Sequence, residues 1–161
     1  MGTPDRNVTR RVFLTTAGIS ATVTALPSRP QAAELTAAER NNLKLVTDFC
    51  NAWTVPIDWD KLGSFLAVDC KFRPTQTTPL VDGRDAIIMM LRGFAGKATS
   101  CQFEVLDSWA RGPIVANDRI DRFALPDQNM DIPVAGVFHV IDEKIAEWSD
   151  YTFLVARTRE T

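Results

Sequence analysis

Four strand-like stretches fill the chain from residue 98 onward, one directly after another. The first is SCQFEVLDSWA, residues 100–110, bounded by Arg111-Gly112-Pro113. The second runs from Pro113 to Leu125 and ends at the turn-forming Pro126-Asp127-Gln128-Asn129. The third, Met130 to Ile141, meets the fourth, Lys144 to Ala156, across Asp142-Glu143. Connections this short force neighbouring strands to run antiparallel, because a parallel return needs a dozen residues or more. The C-terminal part of the chain is therefore expected to be an antiparallel meander.

What precedes the strands reads as helix. Thr36-Ala37-Ala38-Glu39 has the pattern of a capping box, and Leu43, Val46, Phe49, Cys50 and Trp53 follow at helical spacing. Pro56 stops that helix near Trp53, and Asp58 is placed to cap a short second one carrying Leu62, Phe65 and Leu66. Cys70 to Arg73 reads as a short strand, followed by a loop of Pro, Thr and Gln. Asp82 or Gly83 then opens a third helix that Gly96 closes. Helices first and strands after make an α+β domain. Its expected form is N-terminal helices packed in a strongly curved, mostly antiparallel sheet, a shape that encloses a pocket.

A chain of 161 residues, 45% hydrophobic and 24% charged, suits one domain with its own core. No run of about 20 apolar residues is present, so no membrane span is expected. The net charge is −2 and no Lys/Arg block occurs in the body of the chain, which argues against nucleic acid as a partner. The three cysteines, Cys50, Cys70 and Cys101, are widely spaced and form no CxxC pair, so they read as small buried hydrophobes rather than metal ligands. No phosphate-binding glycine motif occurs, and the single histidine, His139, has no partner set for nucleophilic catalysis and reads as a core or rim residue. No metal and no cofactor are expected.

Residues 1–33 stand apart. TRRVFLT, residues 9–15, leads into a mildly apolar stretch ending at Leu26, then PSRPQAA. Adjacent Arg10 and Arg11 followed by Phe13 and Leu14 resemble a twin-arginine export signal, with cleavage after Ala32 or Ala33. The expected organisation is a removable signal over 1–33 and one domain over 34–161, exported to a bacterial periplasm or beyond.

The stretch NDRIDRF, residues 117–123, carries the chemistry. In a strand Asn117, Arg119, Asp121 and Phe123 share one face. Charge and apolar surface on one face is costly if that face is buried, unless the charges are paired. Such a set is either a structural ion pair or the wall of an active site.

GRDAI (83–87), DRIDRF (118–123) and VAGVFHVIDEKIAEWSDY (134–151), with their spacing, resemble the limonene-1,2-epoxide hydrolase family. That family belongs to a superfamily of cone-shaped α+β folds with ketosteroid isomerase, scytalone dehydratase and small polyketide cyclases. The resemblance spans roughly residues 38–155. It implies an Asp–Arg–Asp triad with Arg119 as the bridge, Asp121 as general acid and Asp150 as general base. The implied substrate is a small, apolar, terpene-like epoxide, opened without a cofactor, and a homodimer is expected.

The chain departs from the family pattern at one place. The family holds its water with a Tyr and, two residues later, an Asn. Aligned from Asp69 these become Phe72 and Pro74; aligned back from Gly83 they become Arg73 and Thr75. Neither frame restores the pair, which leaves Thr75 or Gln76 as polar substitutes beside Phe72, with Trp148 sharing the face of Asp150. Hydrolysis stays slightly ahead of an isomerase or lyase outcome without water. A ketosteroid-isomerase-like or cyclase-like proton shuttle at Asp121 is the alternative within enzymes, and a non-catalytic ligand-binding domain the alternative outside them. Trp53, Trp59 and Trp109 read as packing, and Tyr151 as facing away from Asp150.

Overall fold

Thr36 opens the first helix as its sequence requires. In the computed structural model, which describes residues 34–153, the Thr36 hydroxyl accepts from the Glu39 amide while the Glu39 carboxylate accepts from the Thr36 amide. Helix α1 (Ala37–Asn51) buries Val46, Phe49 and Cys50. It ends two residues short of Trp53, with Ala52 at its C-cap. Asp58 caps α2 (Trp59–Phe65) by accepting from the Lys61 amide. Gly83 opens α3 (Arg84–Ala95) at φ +92°, a backbone angle that side chains disfavour, and Gly96 follows its last turn.

The six strands form one mixed sheet, ordered β2-β1-β6-β5-β4-β3. Strands β3 (Ser100–Arg111), β4 (Ile114–Leu125), β5 (Gln128–Ile141) and β6 (Lys144–Thr152) make the expected meander. The turn between β4 and β5 is only Pro126-Asp127, shorter than the four residues expected, because Gln128 and Asn129 pair with Leu125 and Ala124. Asp142 and Glu143 join β5 to β6 with φ of 48° and 59°, the left-handed pair a two-residue hairpin needs. Residues 154–156 of the expected last strand, and the whole 1–33 export segment, lie outside the described residues.

Two features were not legible beforehand. Strand β1 (Leu66–Arg73) starts at the very end of α2, so Leu66 is a strand residue rather than a helical one, and it runs parallel to β6. Residues Val81–Asp82 form a two-residue strand, β2, against Lys71 and Phe72.

The helices cover one face of the sheet. Phe49 of α1 makes edge-on contacts with Phe138 of β5, Trp148 of β6, Trp53 and Phe65. Strict alternation along β4 buries Val115, Asn117, Arg119, Asp121 and Phe123 beneath this layer. The opposite face of β4 is wetter. There Arg122 pairs with Glu104 and with Asp131, a half-exposed network of the kind a structural ion pair makes. His139 is half-buried on that outer face, opposite Ile114 and Glu147. Trp109 is 54% exposed, against the expectation that it packs, because its register partner Ala116 also points outward.

Candidate active site

Arg119 is the largest charged group in the core, and its side chain is fully buried. A guanidinium there must meet acceptors on every side. Its Nε donates to Asp121 Oδ1 at 2.7 Å and its Nη2 to Asp121 Oδ2 at 3.1 Å. The same Nη2 reaches Asp150 Oδ2 at 2.8 Å. Nη1 donates to Asn117 Oδ1 at 3.0 Å. The two carboxylates thus bracket one arginine, on strands β4 and β6.

Strand register explains how β4 and β6 meet across β5. Asn117 pairs with Gly136, and Gly136 pairs with Asp150. The guanidinium folds over Gly136 to reach both sides. A Cβ at residue 136 would lie 2.0 Å from Arg119 Nη1 and 2.6 Å from Asn117 Oδ1, so only glycine fits. The rings of Phe103, Phe138 and Trp148 lie 4.9, 5.9 and 6.0 Å from Arg119 Cζ, which keeps the cation among aromatic faces.

The surroundings set the protonation states. Asp121 is pushed up to about 6, chiefly by burial and opposed by Arg119. Asp150 is also raised by burial, opposed by Arg119 and by the Trp148 indole, which donates from Nε1 to Asp150 Oδ1 at 2.7 Å. One buried positive charge balances one carboxylate, and the second is driven to hold a proton. Both Asp150 oxygens are occupied by separate donors. Asp121 Oδ2, by contrast, shares Nη2 with Asp150 at the longer distance, which leaves it as the oxygen best suited to carry the proton. Behind the arginine, Asn117 Nδ2 donates to Cys50 Sγ at 3.4 Å. Burial pushes the Cys50 thiol up to about 12, so it stays an uncharged acceptor.

Asp121 and Asp150 open onto a cavity of about 710 Å³. Its other walls are largely apolar and include Trp53, Leu80, Met90, Phe94, Phe103, Ile132 and Val134. Trp148 and Thr75 line it too. Phe72 does not: it pairs in register with Trp148 and stacks on that ring at 3.9 Å. Gln76 is turned away, donating to the Thr152 carbonyl at 3.0 Å and accepting from the Thr152 amide at 3.3 Å. Thr75 Oγ1 is 3.3 Å from Thr78 Oγ1. Pro74 is another lining residue. A separate groove of about 520 Å³ between α2 and α3, where Arg92 lies 5.6 Å over the Trp59 ring, contains none of these residues.

Sequence reasoning placed Arg119, Asp121 and Asp150 and overlooked three contributors. Asn117 was on the right face but had no assigned task. Gly136 carried a signal, since a lone glycine inside a strand marks a close approach. Trp53 forms part of the cavity wall, besides packing.

The family model for the limonene-1,2-epoxide hydrolase catalytic domain matches residues 40–157. No curated protein matches the chain in sequence. Among solved structures, an LEH-like epoxide hydrolase from M. tuberculosis superposes with a TM-score of 0.63 at 24% identity, over 71% of this chain and 84% of that one. A protein of ketosteroid isomerase-like fold from Catenulispora acidiphila, in complex with trimethylamine, gives 0.63 at 18% over 70% and 88%. A SnoaL-like polyketide cyclase from Jannaschia sp. CCS1 gives 0.67 at 15% over 76% and 92%. Identities this low speak for the shared α+β fold alone. The family model spans most of the chain, and on that match the chain belongs to the limonene-1,2-epoxide hydrolase catalytic-domain family.

Proposed function

We propose that this protein opens a small, largely apolar epoxide by acid–base catalysis without a cofactor, adding water to give a diol. One observation carries the reading: two carboxylates bracket a fully buried guanidinium and both open onto an apolar cavity. Protonated Asp121 donates to the epoxide oxygen as the C–O bond breaks. Ionised Asp150 takes a proton from water as that water's oxygen bonds to carbon. Arg119 holds both carboxyl groups and its charge stays fixed throughout. The net change is one water added and both carboxyls returned to the starting pair state after a proton moves between them.

A second reading follows from the wall beside Asp150. In the frame counted from Asp69 the family's water-holding hydroxyl and amide become Phe72, stacked on Trp148, and Pro74, which cannot hold water; in the frame counted from Gly83 only Thr75 reaches the cavity. An ordered water usually needs two or three polar partners. Opening without water gives an allylic alcohol, aldehyde or ketone of the substrate's own mass. Incubation with a panel of small cyclic epoxides in heavy-oxygen water separates the two. Hydrolysis places the label in a diol, whereas rearrangement gives an unlabelled isomer. Consumption of no epoxide at all would refute both.

A further inference from the structure

Asn117 is 1% exposed and bonds both to the triad and to helix α1. A guanidinium carries five N–H groups and accepts nothing. Asp121 and Asp150 take Nε and Nη2 of Arg119. Nη1 is left, and its acceptor is Asn117 Oδ1 at 3.0 Å. The amide can serve only in this orientation, because turned end for end it would set N–H groups against N–H groups. Its Nδ2 then goes to Cys50 Sγ of α1, which accepts at 3.4 Å. Both ends of the amide are held, and a row of contacts runs from α1 through Asn117 and Arg119 to the two carboxyls. An aspartate at 117 could also accept from Nη1, but as a third buried carboxylate it would compete for the proton that Asp121 and Asp150 share. Asparagine makes the bond and leaves that balance alone.

We propose that Asn117, held from behind by Cys50, is a positioning residue that fixes the plane of the Arg119 guanidinium, so that Nε and Nη2 stay on Asp121 and Asp150. The inference rests on the epoxide-opening reading for what the site does, but not for the hydrogen bonds. Without Asn117, Nη1 would be a buried donor with no acceptor, a costly state. The guanidinium would then turn to bring Nη1 toward the carboxyls that remain, and Nε would leave Asp121. Asp121 would lose one of its two contacts to the arginine, and with it the alignment of the proton donor. Asn117 is not among the residues that line the cavity, so its loss should reach the reaction only through Arg119.

Two measurements test this. The first needs no turnover. NMR follows the Nε–H signal of Arg119, assigned through its side-chain carbons, in wild type and in variants. Asn117→Leu should move this signal upfield as the bond to Asp121 lengthens. Cys50→Ala should move it in the same direction, and Cys50→Ser, whose hydroxyl can accept from Asn117, should return it toward the wild-type position. If Asn117→Leu does not fold, the Cys50 pair decides. In the second, turnover of cyclohexene oxide is compared. Asn117→Leu should lower kcat by about tenfold or more and leave KM within about twofold of wild type, the mark of a misplaced catalytic group with an intact binding wall. An unmoved Nε–H signal in Asn117→Leu, an unchanged kcat, or Cys50→Ala and Cys50→Ser that behave alike overturns the proposal. If wild type consumes no epoxide while the signal moves as expected, the epoxide reading fails and the positioning stands.

Discussion

Gly136→Ala should disable the site without touching any group that meets substrate. The added methyl carbon would sit 2.0 Å from Arg119 Nη1, 2.6 Å from Asn117 Oδ1 and 2.9 Å from Phe138 Cε2. Ordinary contact begins near 3.4 Å, so the guanidinium must retreat by more than about 1 Å. Its contacts to Asp121 and Asp150 are now 2.7–3.1 Å. A retreat of that size takes at least one of them beyond hydrogen-bonding distance. A buried charge that loses a partner costs about 3–5 kcal/mol, and misplacing a catalytic group by about 1 Å costs about 100-fold in rate. Urea denaturation should therefore show a loss on that scale, and residual turnover should fall about 100-fold. The control is Arg119→Met. With no guanidinium to collide with, adding Gly136→Ala should cost less than it does in wild type, the contacts to Asn117 and Phe138 remaining, and the shortfall measures the clash with Arg119. If Gly136→Ala is within about 0.5 kcal/mol of wild type and fully active, the packing of Arg119 over this glycine is wrong.

Asp121→Asn and Asp150→Asn should each lower epoxide turnover by about 100-fold or more, and wild-type turnover in either would assign the pair a purely structural role. Asp121 in the fold is pushed up to about 6, against an ordinary value near 3.8, so its proton favours the folded state. That stabilisation is complete below about pH 4 and is lost as pH rises through about 6, on the order of 2–3 kcal/mol. Denaturation at pH 4 and 7 should show it in wild type, and Asp121→Asn should lack this part. Turnover should fall above about pH 6 as the acid ionises; a rate flat from pH 5 to 8 would contradict the role of Asp121. Phe72→Tyr combined with Pro74→Asn should raise the share of labelled diol over isomer; an unchanged product ratio would mean that water is held elsewhere, with Thr75→Val as the next test. We further propose export through the twin-arginine signal: Arg10→Lys with Arg11→Lys should leave the protein in the cytoplasm of a bacterial host, as cell fractionation would show. We also propose a homodimer through the outer sheet face, where Trp109 and Tyr151 are exposed, and sedimentation equilibrium would detect it.

The meander, the helix caps and the buried row of β4 were legible because each rests on a short-range rule. Turn residues, capping side chains and a period of two act within a few positions of themselves. The parallel pairing of β1 with β6 was not legible, since nothing near Leu66 or Lys144 states which distant strand it meets. The site divides along the same line. NDRIDRF displays its own face, so Arg119 and Asp121 could be read together from residues two apart. Asp150 needed the family resemblance, because its approach to Arg119 depends on Asn117, Gly136 and Asp150 aligning across three strands. The choice between two alignment frames for the water-holding pair likewise had no local answer. Pro74 of one frame and Thr75 of the other both line the cavity. Trp53 shows the remaining limit: its helical spacing marks it for the core, and that is where it lies. Spacing is silent on whether the indole nitrogen finds a partner there, and with its described neighbours in place it finds none.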